Sequence, residues 1–430
     1  MTQEARAFRL LAAILGMLVM MGPMATDMFL PVIPSLAEDI GASVGETEFA
    51  LTALFSGMAA GHLLYGPLSD RFGRKPVILV SIVLFVTAAL GVAASGDLQG
   101  ILFWRFVQGV AAASGRILAN AAARDIHDRE RLGRLLSIIM MVGATVSLVT
   151  GVSGGIVAEH FPWQVLFLIM AGYGTLMFGL IYFLFTETLG VKNARAMRPM
   201  TVIRNYAEIG RNRVFLAYAL AGAFLISGLA AYLNSSSGVL IGLYGLSPTF
   251  YGVLFAILPL GFMAGSFLAA RYVERTGMDT MILIGAVVCL AAAIVVFALA
   301  LAGLQHWLAI IAPMAIYMIG FAFVMPQISA GALSPFTTIA GSASSLQGFM
   351  LSVMTATVSA LLALFADGTA VPMTAAMAIS ASAVMLVYLF AIRPLEAAKM
   401  PAPGGDSIED KQHISGAKQP QDGGKVGGQF

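Results

Sequence analysis

The sequence predicts an all-α membrane protein with twelve transmembrane helices, arranged as two six-helix pseudo-repeat halves with both termini cytoplasmic. Three observations predict this fold class: an apolar composition, a motif that recurs half a chain later, and basic residues confined to one side. Of the 430 residues, 59% are hydrophobic and only 11% are charged, whereas soluble domains carry about 25% charged residues. Lipid must therefore be part of the solvent for this chain.

Hydropathy defines the individual spans, because a helix needs about 20 mostly apolar residues to cross a bilayer. Twelve segments qualify: 8–34, 46–68, 76–95, 98–123, 134–158, 163–185, 214–240, 248–272, 278–302, 307–332, 341–365 and 371–392. The first is interpreted as a retained span, since no small-residue cleavage site ends a short apolar core. The predicted organisation is an N-terminal bundle (1–190), a cytoplasmic linker with short surface helices at most (191–213), a C-terminal bundle (214–394) and a disordered cytoplasmic tail (395–430).

A charged, glycine-containing loop between the second and third spans recurs between the eighth and ninth. Residues 66–77 read Gly-Pro-Leu-Ser-Asp-Arg-Phe-Gly-Arg-Lys-Pro-Val. The corresponding pairs are Gly57 and Gly261, Gly61 and Gly265, Asp70 and Glu274, Arg71 and Arg275, and Gly73 and Gly277. Any cytoplasmic turn attracts Arg and Lys, but a repeat of this order indicates duplicated halves, as in many secondary transporters.

Charge distribution orients the chain. All of the 24 lysines and arginines except Arg105 and Arg116 fall on one side of the twelve-span arrangement. The opposite loops contain no lysine or arginine, and their charged residues are all acidic: Glu38, Asp39, Glu46, Glu48, Asp97, Glu159 and Asp367. By the positive-inside rule, the basic side is cytoplasmic.

Three ionisable residues remain inside the predicted spans, namely Asp27, Arg105 and Arg116. Each costs at least about 2.5–3.5 kcal/mol on insertion scales, so each is a functional candidate unless it only joins spans as an ion pair. Asp27 and Arg105 both lie roughly 10 Å below the outer edge, and Arg105 and Arg116 share one helix face with Gln108 and Asn120. This polar stripe predicts a cavity.

A carboxylate in such a cavity suits proton transfer, because desolvation raises its pKa and a nearby arginine lowers it. We hypothesise that Asp27 alternates between protonated and ionised states and that Arg105 tunes this step. Further polar side chains at depth extend the predicted substrate cavity: Tyr232, Asn234, Gln327 and Gln347.

Small residues repeat every four positions in the fifth span, at Gly143, Ser147, Gly151 and Gly155. This spacing allows close helix approach. Ordinary packing explains it, and the functional interpretation is that these faces are surfaces on which the halves rock.

Several classes of function are disfavoured. The sequence contains no phosphate-binding Gly-x-x-x-x-Gly-Lys-Ser/Thr loop, no metal-ligand spacing and no nucleophile–base constellation. Cys289 is the only cysteine, which excludes an intrachain disulfide. We therefore expect no enzyme activity, metal or cofactor. The expected partners are a small-molecule substrate, protons and the lipid bilayer, with no nucleic acid. We expect a monomer whose transport is driven by the proton gradient.

The loop 66–77 resembles the signature loop of the major facilitator superfamily. Residues Thr26 to Pro31, read with Ile33 and Pro34, resemble the first-span motif of twelve-span drug:proton antiporters, and are most similar to the Bcr/CflA group of bacterial efflux proteins. Further likenesses are Arg105-Phe106-Val107-Gln108-Gly109, Arg124-Asp125, Tyr244 to Pro248 and Ala340 to Ser344.

The resemblance implies a multi-pass protein of the bacterial inner membrane that exports chloramphenicol- or bicyclomycin-like drugs by proton antiport. It maps the proton site onto Asp27, with Arg105 in proton transfer. It also implies that the loop latches the halves in the outward-facing state, through Gly66, Asp70, Arg71, Gly73, Arg74 and Lys75.

The sequence departs from that pattern at three positions. Gly151 stands where the antiporter motif has proline, Arg116 stands where relatives have a small residue, and Asn120 stands where they often have a basic one. A deep arginine favours neutral, zwitterionic or anionic substrates over lipophilic cations. Two alternatives stay open: an importer or facilitator of a sugar or organic acid, and a non-transporting membrane sensor, although the tail is too polar to form a sensory domain.

Overall fold

The computed structural model describes residues 3–125, 129–192, 199–336 and 339–397, and all regular structure in these ranges is helical. The helices are α1 (Gln3–Val19), α2 (Met21–Thr26), α3 (Ile33–Ile40), α4 (Val44–Phe72), α5 (Arg74–Ala94), α6 (Leu98–Arg124), α7 (Arg129–His160), α8 (Gln164–Leu184), α9 (Pro199–Arg211), α10 (Arg213–Ser237), α11 (Pro248–Phe255), α12 (Ile257–Leu301), α13 (Leu308–Leu333), α14 (Ala340–Leu364), α15 (Val371–Val387) and α16 (Arg393–Ala397). A 3₁₀ turn covers Leu30–Val32, and π-helical segments cover Gly238–Leu243 and Tyr388–Ile392. The predicted tail lies outside the described residues from position 398 onward.

The all-helical prediction is confirmed, whereas the predicted count of twelve spans is not confirmed. Nine helical segments of the described residues are long and apolar enough to cross a bilayer. One of them, Pro248–Leu301, is 54 residues long and is interrupted at Gly277, where φ is 79°. Helices α6 and α7 span 27 and 32 residues but are not among the nine.

The first span is broken rather than continuous, and its prolines explain where. Proline has no N–H to donate to the carbonyl four residues earlier. Pro23 thus cannot donate to the carbonyl of Val19, and α1 ends at Val19. Pro31 likewise cannot donate to the carbonyl of Asp27, and α2 ends immediately before Asp27. The breaks therefore place Asp27 at a helix end inside the membrane.

The sequence repeat is also a structural repeat. Gly73 and Gly277 both adopt the left-handed backbone region, with φ of 106° and 79°, which side chains other than glycine disfavour. Earlier in the chain by the same offset, Gly57 lies against the backbone carbonyl of Phe106, and Gly261 lies against that of Ala315. Equivalent glycines therefore bring α4 against α6 and α12 against α13.

The N-terminal helices (α1–α8) meet the C-terminal helices (α10–α16) mainly through two helix pairs. Helix α4 packs against α14, and α7 packs against α11. At their ends that we assign to the outside, a Cβ at Gly45 would lie 3.1 Å from the Ala363 carbonyl oxygen, and Glu159 accepts a hydrogen bond of 3.0 Å from the Thr249 N–H. These contacts hold the two groups of helices together at that end.

The described part of the linker forms one short helix, α9. The Tyr206 hydroxyl donates a hydrogen bond of 3.4 Å to the Leu63 carbonyl of α4, and Ile209 is fully buried. The linker helix therefore docks on the transmembrane helices through its apolar face.

We predict that Gly57→Ala destabilises the protein, because the new methyl group would overlap the Phe106 carbonyl. Overpacking of this kind costs about 1–3 kcal/mol. Thermal unfolding of the purified protein measures the effect. Gly179→Ala is the matched control, since nothing lies within 4 Å of its added Cβ; equal melting temperatures for the two variants would contradict the packing argument.

Candidate functional site

Asp27 is buried without a cation. Its side chain is 7% exposed, and its Oδ1 accepts a hydrogen bond of 2.7 Å from the Thr26 hydroxyl. The Ser147 hydroxyl of α7 also interacts with the carboxylate. Within the described residues, the ion pairs that the structure forms do not include Asp27. Neutral hydroxyl groups are thus the partners of this acid.

The C-terminal helices complete the surroundings of Asp27. Tyr251 of α11 is buried and interacts electrostatically with Asp27. Its hydroxyl also shares a hydrogen bond of 2.8 Å with the Ser236 hydroxyl of α10. The acid therefore lies where the two groups of helices meet, and motion of one group against the other changes its environment.

Arg105 holds the broken first span instead of pairing with Asp27. Its guanidinium donates to the Ala25 carbonyl at 2.9 Å and to Gln108 Oε1 at 2.7 Å, and its carbon lies 4.1 Å from the centre of the Phe29 ring. In a continuous helix the Phe29 N–H would bond to Ala25, but here it bonds to Thr26 at 3.1 Å. Arg105 takes the carbonyl that the break released, two residues from Asp27.

The predicted stripe on α6 divides into two environments. Arg105 and Gln108 are fully buried, Arg116 is exposed, and Asn120 is half-buried. Arg116 interacts electrostatically with His62 of α4. His62 is buried and lies against Gly348 of α14, so Arg116 lies near the contact between α4 and α14.

The remaining cavity residues lie on three helices. On α10, Tyr232 and Asn234 are fully buried. Asn234 donates to the Ser359 hydroxyl, and Tyr232 interacts with Ser236, whereas the Asn234 amide oxygen has no hydrogen-bond donor among the described residues. Gln327 on α13 is half-buried and Gln347 on α14 is buried. Among the described residues, neither glutamine forms a hydrogen bond with Asp27, Tyr232 or Asn234, so a shared cavity for these residues stays a prediction.

The loop between α4 and α5 is braced by the N-terminal helices. Arg74 Nη1 lies 2.6 Å from Asp70 Oδ1, and Arg74 Nε lies 3.1 Å from Asp125 Oδ2 at the end of α6. Glu187 accepts hydrogen bonds from the N–H groups of Arg74 and Lys75. Gly66 faces Ser345 of α14. The contacts of Arg74 and Lys75 thus stay within the first helices of the chain, and the latch role remains a prediction.

The glycines of α7 face α11. A Cβ at Gly151 would lie 2.6 Å from Phe255 Cδ1, and one at Gly155 would overlap the Pro248 carbonyl. The close approach is therefore present, while the rocking role remains a prediction. Gly143 lies where the structure describes no surroundings.

The placement of Glu48 in an outer loop was wrong. Ser43 and Glu46 form a reciprocal capping box that starts α4 at Val44, so Glu48 lies within the helix. Its side chain is only 2% exposed, and its Oε2 accepts a hydrogen bond of 3.2 Å from the Ser235 hydroxyl of α10. The Ser-x-x-Glu pattern is a helix-start signal that could have located it.

Two further residues at the site were missed from the sequence. His62 carries no motif that distinguishes it from an ordinary core histidine. Tyr251 follows the Ser247 cap of α11 by four residues, and nothing in its neighbours indicates that it faces an acid from α2. Both became visible only when the helices were packed together.

A family model described as "Major Facilitator Superfamily" matches residues 15–366 of the chain. The chain is 31% identical over 380 residues to a "Bicyclomycin resistance protein homolog" of Haemophilus influenzae, covering 87% of this chain and 94% of the relative. It is also 31% identical over 379 residues to "Multidrug resistance protein MdtL" of Klebsiella pneumoniae, covering 88% of this chain and 94% of that protein.

Solved structures share the fold. The xylose transporter XylE from E. coli, in a partially occluded inward open conformation, matches with a TM-score of 0.72 at 14% identity, covering 94% of this chain and 100% of that chain. The human organic anion transporter MFSD10 matches with a TM-score of 0.62 at 15% identity, covering 89% and 99% of the two chains.

We predict that Arg105→Lys lowers activity by about tenfold or more, because a lysine ammonium cannot reproduce the planar, forked contacts of a guanidinium. Lysine would keep the charge but lose the combined contacts to Ala25, Gln108 and the Phe29 ring. Initial transport rates measure the effect. Arg213→Lys, at an exposed arginine that starts α10, is the control; an Arg105→Lys variant as active as that control would show that charge alone suffices.

Proposed function

The chain belongs to the Major Facilitator Superfamily, and we propose that it is a proton-coupled antiporter that exports small amphipathic drugs by alternating access. The family model and the coverage of the relatives support the transporter class. The names of those relatives, which refer to bicyclomycin resistance and multidrug resistance, support drug efflux. We place the protein in the bacterial inner membrane and expect it to act as a monomer without cofactors.

The observation that carries the coupling mechanism is the burial of Asp27 among hydroxyl groups. An ionised carboxylate that is buried without a cation is strongly disfavoured, whereas a protonated one can donate and accept hydrogen bonds. Asp27 therefore favours its protonated form while the helices enclose it. When water or substrate reaches the acid, the ionised form becomes favourable and the proton leaves.

Arg105 is a positioning residue in this mechanism. It binds the Ala25 carbonyl and so fixes the end of α2, which Asp27 directly follows. Movement of α6 relative to the first span would shift the acid without forming or breaking an ion pair. Proton binding and helix movement are thereby coupled through the broken helix.

The topology that this mechanism needs is twelve spans in two bundles, 1–190 and 214–394, with a cytoplasmic linker and tail. Dividing Pro248–Leu301 at Gly277 and adding α6 and α7 gives the predicted number. The matched backbone of Gly73 and Gly277 supports the two-bundle division. The one-sided basic residues support cytoplasmic termini.

Arg116 bears on the class of substrate. The residue is exposed although it lies mid-way along a helix, and an arginine at membrane depth faces water or a polar partner. Neutral, zwitterionic or anionic drugs suit this site better than lipophilic cations. Gln108, Asn120, Tyr232, Asn234, Gln327 and Gln347 are the polar residues that we assign to the rest of the pathway.

The loop 66–75 is the proposed latch. In the present arrangement Arg74 draws Asp70 and Asp125 together, while Gly66 lies against α14. Movement of α14 relative to α4 would break the contact between Gly66 and Ser345, and so would release the latch.

We predict that Asp27→Asn abolishes gradient-driven drug transport, because asparagine cannot carry a proton. The measurement is chloramphenicol uptake into proteoliposomes with an imposed proton gradient, beside a lipophilic cation. Asp97→Asn is the matched control, since Asp97 is an exposed helix cap. Coupled transport that persists in Asp27→Asn would refute the assignment, and gradient-driven movement of a sugar or organic acid but of no drug would favour a metabolite transporter.

A further inference from the structure

A second carboxylate, Glu48, is buried at the contact between the N-terminal and C-terminal helices. It lies in the second turn of α4, at the end that we assign to the outside. Its Oε2 accepts a hydrogen bond from Ser235 of α10, and a Cβ at Gly238 would lie 3.6 Å from its Oε1. The residue therefore touches both α10 and the π-helical segment after it.

Among the described residues, the helices around Glu48 place no cationic side chain beside it. Helix α14 and the segment Gly238–Leu243 contain no charged residue, and the only charged residue of α10 is Arg213 at the opposite end. The neighbouring α3 presents Glu38 and Asp39, which are exposed acids, and Glu46 on α4 is exposed as well. On α6, Asp97 caps the helix and Arg105 is bound to Ala25 and Gln108.

Glu48 is also connected to the Asp27 cluster through consecutive residues. Ser235 bonds to Glu48, and Ser236 bonds to Tyr251, which interacts with Asp27. One turn of α10 thus contacts Glu48 of α4 and also Tyr251, which lies beside Asp27. A displacement of this turn changes the surroundings of both acids together.

The charge state of Glu48 consequently depends on whether this contact is closed. In the closed contact, ionisation would leave an unpaired charge away from water, which is strongly disfavoured. If α10 moved away from α4, water would reach the carboxylate and ionisation would cost little. Proton binding and closure therefore favour each other by linkage.

We propose that Glu48 is a second proton-binding residue, which holds the outer end of the transporter closed while it is protonated. It takes its proton from the outer aqueous phase as α4 and α10 meet, and returns it there when they separate. The proposal deepens the proposed function and rests on it. Lower pH therefore favours the closed outer end, and higher pH favours the open one.

Distances between spin labels at the outer ends test the proposal. Gly96→Cys and Gln305→Cys place labels on exposed loops of the two groups of helices, in a Cys289→Ser background that removes the only native cysteine. Electron–electron double resonance in lipid nanodiscs, without drug, is recorded from about pH 5 to about pH 9. The parent should show a growing long-distance population as the pH rises.

In Glu48→Gln, the distance between the two labels should stay short at all pH values. The open fraction at high pH should fall by about tenfold, because a linkage of one pKa unit corresponds to a factor of ten in the equilibrium. Glu48→Asp should keep the pH response. Glu46→Gln is the matched control, because glutamine also completes a capping box. An unaltered pH response in Glu48→Gln would overturn the proposal, as would a parent that shows no response.

Failure of this proposal is distinguishable from failure of the proposed function. If the parent exports drug in exchange for protons, but Glu48→Gln shows the same label distances as the parent, only the role of Glu48 is overturned. If the parent moves no drug, but its pH-dependent opening is lost in the Glu48→Gln variant, drug export is overturned and the outer proton switch is retained.

Discussion

The constraint on which the rest of this structure depends is the lack of water around polar groups inside a bilayer. Backbone groups at that depth must bond within the protein, and ionised side chains need a partner or access to water. The prolines of the first span break its hydrogen-bond ladder, and Arg105 takes the released Ala25 carbonyl. Asp27, at the same break, accepts hydrogen bonds from the Thr26 and Ser147 hydroxyl groups.

This unequal treatment of an arginine and an acid links structure to function. Arg105 is held by a carbonyl, an amide oxygen and an aromatic face, so its position is fixed without an acid. Asp27 and Glu48 both lie where the N-terminal helices meet the C-terminal helices. In the proposed cycle, separation of those helices hydrates the acids, and closure makes their protonated forms favourable.

The sequence was most informative where local chemistry decides the structure. Pro23 and Pro31 explain where the first span breaks, and the repeat that indicated duplicated halves reappears in the matching backbone of Gly73 and Gly277. It was least informative for contacts between distant helices. The expectation that Arg105 and Asp27 share a depth did not reveal that Arg105 binds Ala25, and Glu48 was assigned to a loop because its burial depends on α10. Tyr251 and His62 were missed for the same reason, since periodicity shows a helix face but not which helix covers it.

The measurement that tests the central claim most directly is proton release when drug binds. Purified protein in weakly buffered detergent solution, slightly below neutral pH, is mixed with chloramphenicol while a pH indicator records protons released per protein. The account predicts release from the native chain, and from an Asp97→Asn control, but not from Asp27→Asn. Drug binding that releases no proton from the native chain, or equal release from Asp27→Asn, would contradict the claim that Asp27 exchanges its proton for the substrate.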